Sequence, residues 1–516
     1  MNPSQPHAQA IAIQNDKIAK VGTNKEIEPW IRKDTKVIDL KGRTVVPGFI
    51  DTHVHVTGFG RSLAWVDLRD VQSIREIQER LKKRVQETPK GRWIMGGGWD
   101  QERLVERRYP TRWDLDDFSP ENPVVFNRVC GHICVTNSKA LELTGITAET
   151  TPPPGGQIDK DPNTGEPTGI LRENAMDLVC KAMPPPSEEE LTEAATLACQ
   201  KAVEAGLTSL HWMIYSPIEI RIIQKFRAQN KLPLRVYLVV PVELLDPLID
   251  LGLCTGFGDS MIRIGSIKIV ADGSLGARTA ALHEPYSDDP ATKGMMLYAQ
   301  EELNELVAKA HKAHLQLAIH AIGDQTIDMV LTALEKALEE TPRKDHRHRI
   351  EHASVLNEAL IRRMKRLEVI ASIQPHFVIS DFWVVDRVGP TRARWVYPFK
   401  TLLQDGIQVA GGSDCPVEPI NPLLGIYAAV AREALPQERI TVDDALRVYT
   451  VNGAYASFEE NVKGSIEEGK LADFVVLSHD PLTIPSSKIK DIRVETTIMG
   501  GRVVYAPKLT NTMKEF

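Results

Sequence analysis

The stretch Val46-Pro47-Gly48-Phe49-Ile50-Asp51-Thr52-His53-Val54-His55 decides the fold. Its apolar residues predict a buried β-strand over 49–55 that is closed by two histidines. Side chains two residues apart in a strand point to the same side, so His53 and His55 can reach one metal ion. A His-x-His pair also occurs on surface strands, and only its position at the end of a buried strand favours a metal site here.

Seven further apolar runs follow this stretch along the chain. The eight predicted strands span 49–55, 208–213, 235–240, 266–271, 316–321, 348–352, 369–374 and 408–414. Amphipathic helical sequence lies between most of them, for example at 301–313 and 325–338. This alternation predicts an α/β protein, with a (β/α)8 TIM barrel over residues 47–454. A doubly wound parallel sheet has a similar pattern, and periodicity alone does not determine whether the sheet closes.

Both ends of the chain are predicted to form β-structure. Short apolar runs lie at 10–13, 18–22, 472–477, 494–498 and 502–505. Gly500 and Gly501 separate the last two runs, as in a β-hairpin. Because the β-rich ends flank a different middle, we predict one small β domain built from residues 1–46 and 455–516.

About 150 residues separate the first and second barrel strands, far more than an ordinary strand-to-helix connection. This segment contains Gly96-Gly97-Gly98-Trp99-Asp100, a strand-like run at 123–129 and a Pro/Gly-rich run at 151–165. We predict an inserted subdomain at about 57–186. Since it follows a barrel strand, it belongs on the C-terminal face of the barrel, where active sites lie.

Composition restricts the partners and the compartment. The 516 residues are 42% apolar and 25% charged, and 62 basic against 69 acidic side chains give a net charge of −7. This balance provides no basic field for nucleic acid or an anionic membrane. The sequence shows neither a long apolar run nor a signal peptide, and its six cysteines are scattered. These features predict a cytoplasmic protein with reduced thiols and neither a membrane nor a nucleic-acid partner.

Four more predicted barrel strands carry metal-ligand residue types at or near their ends. These residues are Lys268, His320, His352 and Asp414. Each one alone is more often a satisfied core histidine, a paired lysine or a capping aspartate. Five strands in sequence order with such groups, counting the strand of His53 and His55, instead predict a metal centre.

A set of motifs carries a resemblance to a known family. They are Val46 to His55 as quoted above, Lys268-Ile269-Val270-Ala271-Asp272-Gly273-Ser274-Leu275-Gly276-Ala277-Arg278-Thr279-Ala280, Ile319-His320-Ala321-Ile322-Gly323-Asp324, Ile350-Glu351-His352-Ala353, Gly411-Gly412-Ser413-Asp414, and Gly464-Ser465-Ile466-Glu467-Glu468-Gly469-Lys470-Leu471-Ala472-Asp473. Over essentially its whole length the chain resembles the amidohydrolase superfamily, and within it the amidohydrolase-3 (YtcJ-like) group.

The resemblance implies a β-sandwich joined to a metal-dependent (β/α)8 barrel. It implies metal ligands and a general acid/base at the following positions: His53, His55, His320 and His352 as ligands, Asp414 as acid/base and ligand, and Lys268 as a carboxylated bridging lysine. It also implies a divalent cofactor of one or two ions, zinc first, with manganese, iron or cobalt as alternatives. Relatives usually begin with one more strand before 10–13, so we expect a trimmed sandwich edge or an earlier native start.

The function implied is metal-dependent hydrolysis of a non-peptide C–N bond, in an amide or cyclic amide of a small molecule. Activated water would attack the carbonyl, with Asp414 as general acid/base. An esterase or lactonase with the same site is the second hypothesis, since the same hydroxide attacks either carbonyl. A non-catalytic scaffold protein is the third, although every ligand is present. Monomer and homodimer stay open.

Other side chains in predicted loops or at strand ends are candidates for substrate binding. They are Trp99, His132, Arg278 and His376. A purely structural role is about equally compatible with each. Cys130 and Cys134 flank His132, and a metal site there is a minor alternative. For Lys268, the alternative to carboxylation is an unmodified lysine paired with Asp272 or another carboxylate.

Overall fold

The computed structural model describes residues 1–63 and 65–507. Its strands are β1 (Ala10–Gln14), β2 (Lys17–Gly22), β3 (Thr44–Pro47), β4 (Phe49–Val54), β5 (Val66–Asp67), β6 (Ile94–Trp99), β7 (Val124–Arg128), β8 (Ile133–Thr136), β9 (Gly156–Lys160), β10 (Pro167–Glu173), β11 (Leu207–Met213), β12 (Arg235–Pro241), β13 (Ile262–Val270), β14 (Gln316–Ala321), β15 (Arg349–His352), β16 (Ile370–Ile373), β17 (Val409–Gly411), β18 (Phe474–Leu477), β19 (Val494–Met499) and β20 (Arg502–Tyr505).

Helices surround and connect these strands. They are α1 (Asn24–Ile27), α2 (Val56–Ser62), α3 (Ile74–Glu87), α4 (Arg112–Asp116), α5 (Ser138–Thr144), α6 (Asp177–Cys180), α7 (Glu188–Glu204), α8 (Pro217–Ala228), α9 (Leu245–Asp250), α10 (Gln300–Lys312), α11 (Asp324–Glu340), α12 (Glu358–Arg366), α13 (Phe377–Ser380), α14 (Val384–Ala393), α15 (Phe399–Gln404), α16 (Pro422–Ala431), α17 (Val442–Val448) and α18 (Val451–Ala456). Within the described ranges, none of these helices is both long and apolar enough to span a bilayer.

Eight parallel strands form the central sheet in the order β4, β11, β12, β13, β14, β15, β16, β17. Backbone hydrogen bonds join the end of β4, at one edge of this sheet, to the turn after β17, at the other edge. Asp414 N donates to His53 O at 2.7 Å, and His55 N donates to Cys415 O at 2.9 Å. The sheet therefore closes into a barrel, which excludes the doubly wound alternative. The predicted fold class is confirmed.

Alternation along each barrel strand divides its side chains between two environments. On β13, Ile267 and Ile269 are completely buried in the hydrophobic layer beneath the helices. Lys268, between them, turns to the barrel interior and lies 3.2 Å from His53. On β15, Arg349 and Glu351 are fully buried in the same interior. The barrel thus has an apolar outer layer and a charged centre.

The segment between β4 and β11 contains its own six-stranded sheet, which we call the insert sheet. Its strand order is β5, β6, β7, β8, β10, β9. The first three strands are parallel, and the remaining pairs are antiparallel. Trp99, Phe126 and Ile170 lie in a separate hydrophobic cluster on this sheet. The limits of the insert at 57 and 186 stay a prediction.

Sequence from both ends of the chain forms the remaining β-structure. β3 pairs antiparallel with β18, in a four-stranded sheet ordered β20, β19, β18, β3. The β1–β2 hairpin packs against it through a small core that contains Ile18, Val21, Phe474 and Ile498. Residues more than 400 positions apart in the chain therefore share one hydrophobic cluster.

A buried ion pair connects this terminal β-structure to the barrel. Arg235, at the start of β12, donates from Nε and Nη2 to the two carboxylate oxygens of Asp473, at 2.7 and 3.0 Å. The side chains are only 3% and 5% exposed. Asp473 Oδ1 also accepts from the backbone N of Gly500 at 2.8 Å. Because the pair is bidentate and excluded from water, it fixes the two modules relative to each other.

We predict that Asp473→Asn lowers the free energy of unfolding by about 3 kcal/mol, since it leaves the Arg235 guanidinium buried without a counter-charge. Chemical unfolding followed by tryptophan fluorescence measures the change. The control is Asp443→Asn, which removes the half-exposed partner of Arg447. It should cost less than about 0.5 kcal/mol. Equal effects of the two variants would contradict the importance of the Arg235–Asp473 pair.

Candidate active site at the C-terminal end of the barrel

The end of β4 and the turn after β17 bring three metal-ligand side chains together. Asp414 Oδ1 lies 3.1 Å from His55 Nε2 and 3.4 Å from His53 Nε2. One ligand atom from each of the three residues lies within 4.8 Å of the others. The His-x-His pair and the aspartate, 359 positions apart in sequence, thus form one potential ligand set.

The backbone around Asp414 explains why Gly411-Gly412-Ser413-Asp414 has its sequence. A Cβ at Gly412 would lie 2.7 Å from the backbone N of His53, so a side chain does not fit there. Asp51 Oδ1 accepts from the backbone N of both Ser413 and His53, at 2.9 and 3.1 Å. Asp414 itself has a left-handed φ of 58°. This conformation turns its carboxylate towards the histidines.

A chain of polar contacts orients His53. Its Nδ1 lies 2.5 Å from Glu351 Oε2. Glu351 also accepts from Arg349 at 2.7 Å and from Ser372 Oγ at 2.8 Å. With Nδ1 held by a carboxylate, Nε2 of His53 is left facing Asp414 and Lys268. Such outer partners fix the ring orientation of metal-binding histidines.

Burial and the neighbouring side chains together determine the charge state of these groups. Burial and the nearby Lys268 charge lower the pKa of His53 to about 4. Although burial opposes it, the surrounding His53, His55 and His352 hold the pKa of Asp414 well below its usual range. At neutral pH the centre therefore offers a neutral imidazole and an ionised carboxylate. Those are the protonation states that bind a metal ion.

His320 and His352 lie next to this trio. The His352 ring centroid is 5.0 Å from that of His53 and 4.4 Å from that of His320. His352 Nδ1 contacts Gln374 Oε1 at 2.6 Å, and His320 Nε2 contacts the Gly273 carbonyl at 3.0 Å. Burial and the neighbouring His320 lower the pKa of His352 well below its usual range. Each ring is thus anchored through one nitrogen, and the other nitrogen makes no hydrogen bond to any residue that the structure describes.

Lys268 reaches the centre from the barrel interior. Its Nζ is 3.2 Å from His53 Nε2. Burial lowers its pKa to about 8, while Glu351 and Asp414 oppose the shift. Asp272, one partner considered from sequence, instead accepts backbone N–H groups of Ala281, Ile322 and Gly323. The ammonium therefore faces the predicted metal ligands.

The donor chemistry of this cluster fits a divalent ion. Imidazole nitrogens and a carboxylate oxygen form the ligand set that zinc and related transition metals prefer. All six residues predicted as ligands lie in one continuous cluster at the C-terminal end of the barrel. His53, His55 and Asp414 could hold one ion, and Lys268, His320 and His352 are adjacent.

A cavity of about 180 Å³ opens directly onto this cluster. His320, His352 and Asp414 line it from the barrel. Two predicted substrate-binding residues, His132 and His376, line it as well. Each is bound to a buried glutamate, His132 to Glu173 at 2.7 Å and His376 to Glu418. A small molecule in this cavity would therefore lie within reach of the cluster.

The other two predicted substrate contacts lie elsewhere. Trp99 is completely buried in the insert core, where its Nε1 donates to the Phe126 carbonyl at 2.8 Å. Its neighbours Gly98 and Asp100 line the cavity instead. Arg278 pairs with Asp288 at 2.9 Å outside the cavity wall. Both residues thus have structural partners. Cys134 is buried in an apolar cluster of the insert, whereas Cys130 lines the cavity together with His132.

Several residues that support the site carry weak sequence signals. Glu351 and Arg349 alternate within a four-residue buried strand, and charges in such a run indicate an internal ion pair. Asp51 lies two residues before His53 in the first motif. Tyr215, whose hydroxyl is 2.7 Å from His55 Nδ1, follows β11 in an ordinary loop. No local pattern distinguishes it, because its contact spans 160 positions.

Comparisons with known proteins agree with this arrangement. The model of the amidohydrolase family matches residues 36–505. The chain is 38% identical to YtcJ of Bacillus subtilis (strain 168) over 96% of both chains. It is 30% identical to the N-substituted formamide deformylase of Arthrobacter pascens over 96% of this chain and 95% of that protein.

Comparison with a solved structure supports the fold as well as the family. The crystal structure of a metal-dependent hydrolase of Pyrococcus furiosus superimposes with a TM-score of 0.73 at 35% identity. The match covers 92% of this chain and 95% of that one. Together with the histidine and aspartate cluster in the barrel, these similarities show that the chain belongs to the amidohydrolase family and is a metal-dependent hydrolase.

Proposed function

We propose that the protein hydrolyses a non-peptide C–N bond, in an amide or cyclic amide of a small molecule. The observation that carries this proposal is the Asp414 carboxylate, which lies against His53 and His55 and faces a cavity of about 180 Å³. Similarity to an N-substituted formamide deformylase supports it and suggests N-substituted formamides as first substrates.

A divalent metal, zinc first and of one or two ions, would bind at His53, His55, Lys268, His320, His352 and Asp414. When bound, it would supply an acidified water and a polarised carbonyl. The protein's own groups then manage the protons. Asp414, ionised at neutral pH, accepts the proton of the attacking water and returns it to the leaving nitrogen. Glu351 keeps the His53 ring in place throughout.

The C–N bond is favoured over an ester because an amine leaves only after protonation, and Asp414 is positioned to deliver that proton. An alkoxide leaves a lactone or ester more easily and depends less on this residue. A substrate panel of N-alkyl and N-aryl formamides, cyclic amides and their matched esters tests the proposal. Faster turnover of the amides supports it, and turnover of esters alone would contradict it.

We predict that the purified protein carries at least one divalent ion per chain. Elemental analysis after gel filtration measures it. Removal with a chelator should abolish turnover, and zinc, manganese or cobalt should restore it. Metal content well below one ion per chain, together with no activation by any added ion, would contradict the proposed centre.

Asp414→Asn is predicted to lower kcat by about 10²- to 10⁴-fold, because the amide cannot accept a proton from water. The variant should keep its fold and much of its metal, since four histidines remain. Steady-state kinetics, circular dichroism and elemental analysis measure these three properties. The matched control is Asp250→Asn on the exposed face of α9, which should leave kcat unchanged. A near-normal kcat in Asp414→Asn would remove Asp414 from the mechanism.

Lys268 is proposed to react with CO₂, so that its neutral Nζ bonds to the carbon, loses a proton and becomes a carbamate anion able to bridge two ions. We predict that Lys268→Ala abolishes loading of a second ion, and that short carboxylic acids partly restore activity. Intact mass of the metal-loaded protein reports the added CO₂. The control is Lys336→Ala on the exposed face of α11. An unmodified lysine in the loaded protein and full activity of Lys268→Ala would contradict the carbamate.

A further inference from the structure

Three histidines that the proposed hydrolysis does not use form a cluster at the N-terminal end of the barrel. His311 lies on α10, and His346 and His348 come just before β15. They are only 1%, 3% and 0% exposed. The ring centroid of His348 is 5.1 Å from that of His311 and 4.5 Å from that of His346. Because His352 ends β15, this histidine cluster and the predicted metal ligands lie at opposite ends of the barrel.

A one-way chain of hydrogen bonds runs through two of these rings. The backbone N of Leu317, on β14, donates to His348 Nδ1 at 3.0 Å. His348 Nε2 lies 2.9 Å from His311 Nδ1, and His311 Nε2 lies 2.7 Å from the carbonyl of Thr341, directly after α11. A backbone N–H only donates and a carbonyl only accepts. His348 therefore carries its proton on Nε2 and donates to His311 Nδ1, and His311 donates from Nε2 to Thr341.

The third ring continues the same pattern. The backbone N of His348 donates to His346 Nδ1 at 2.9 Å, and His346 Nε2 lies 2.8 Å from the carbonyl of Leu367, directly after α12. His346 thus carries its proton on Nε2 as well. In each of the three rings the nitrogen without a proton accepts from an N–H group. A second proton on any ring would face that N–H group and break the hydrogen bond.

The charged groups around the cluster give an added proton little support. The guanidinium of Arg343 lies beside two of the rings and repels a positive charge on them. Asp345 favours a charged His346, but its two carboxylate oxygens accept from Arg347 at 2.6 and 3.1 Å. The exposed His314 adds another basic group. Among the residues that the structure describes, no carboxylate accepts a hydrogen bond from the three rings.

The cluster should therefore become less stable in acid. Burial lowers the pKa of each ring, that of His346 to about 4 and that of His348 well below its usual range. A histidine in an unfolded chain titrates near pH 6.5. Between about pH 6.5 and about pH 4 the unfolded protein binds more protons at these positions than the folded protein does. Stability from the cluster is complete above this window and is lost as the pH falls through it.

We propose that His311, His346 and His348 form an acid-sensitive latch, which ties β14 and the loop before β15 to α10 and to the ends of α11 and α12, and which opens when the rings take up protons. His348 takes part in both chains, with its ring in one and its backbone N in the other. Loss of its hydrogen bonds would disconnect the two chains together, so opening is cooperative. This inference goes beyond the proposed hydrolysis and does not depend on it.

The latch holds two strands that matter for the predicted metal centre. β14 carries His320 near its other end, and β15 ends at His352. Release of the N-terminal ends of these strands would loosen the backbone that places both predicted ligands. Low pH would therefore weaken the centre indirectly, in addition to protonating its ligands.

The first test uses the full-length, metal-loaded protein. Urea unfolding at a series of pH values from about 7.5 to about 4.5 gives the number of protons taken up on unfolding. His346→Gln keeps a side-chain N–H for the Leu367 carbonyl and cannot be protonated, and His311→Gln does the same for Thr341. Each variant should have a lower urea midpoint near pH 7.5, yet take up about one proton fewer than the wild type on unfolding near pH 5.

This readout separates the latch from a purely structural role, which would lower the urea midpoint equally at both pH values. The control is His7→Gln, which removes an exposed histidine near the N-terminus. It should match the wild type in urea midpoint at each pH and in proton uptake.

Hydrogen–deuterium exchange of the wild type locates the opening. The backbone N–H groups of Leu317 and His348 donate to ring nitrogens, so their exchange reports the latch directly. After correction for the intrinsic exchange rate, peptides that contain these two amides should lose protection at least about tenfold between about pH 7.5 and about pH 5. Peptides from β11 should keep their protection.

Proton uptake equal to that of the wild type in both His346→Gln and His311→Gln would overturn the proposal. A uniform loss of protection across the barrel near pH 5 would also overturn it, because acid would then act elsewhere. If neither variant folds, exchange of the wild type alone decides. Selective loss of protection at Leu317 and His348 supports the latch, and full protection there near pH 5 contradicts it.

Discussion

The hydrogen bonds between the end of β4 and the turn after β17 do two things at once. They close the barrel, and they set Asp414 against His53 and His55. A strained backbone at Asp414 and a glycine at position 412 are needed for this approach, because any Cβ at Gly412 would collide with His53. Closure of the sheet and assembly of the site are therefore one structural event. An open sheet with the same strands would leave Asp414 on one edge and the two histidines of β4 and its end on the other.

The barrel interior contains charged side chains that hold His53 in its place at this site. Arg349, Glu351 and His53 form a fully buried chain of contacts. Burying such groups costs free energy that their attraction only partly returns, so an apolar filling of the same volume would be at least as stable. The interior instead holds His53 in one orientation and one tautomer. Its stability comes from the apolar layer between strands and helices, where Ile267 and Ile269 lie.

The sequence predicted the barrel strands better than it predicted which residues of different strands and loops contact one another. All eight barrel strands could be predicted, because each is a short apolar run between helical segments. His53 and His55 could be paired because strand periodicity is local. His352 breaks that periodicity: its φ of 72° turns it into the cavity, while Arg349 and Glu351 take the inward positions of β15. Trp99 looked like a cavity residue, yet its side chain packs inside the insert.

The barrel strands and the insert are under different structural constraints, and this difference explains why the substrate is harder to predict than the reaction. Ligand positions are tied to strand ends, whose spacing every strand pair constrains through backbone hydrogen bonds. The insert is held by its own core and by contacts with the loops of the barrel, such as Glu173 against Gly273 and Glu102 with Arg387. Loops like the β7–β8 turn can therefore change sequence without disturbing the predicted metal ligands. Under the proposed function, selectivity between substrates would be set where residues of the insert, His132 and Asp100, line the cavity.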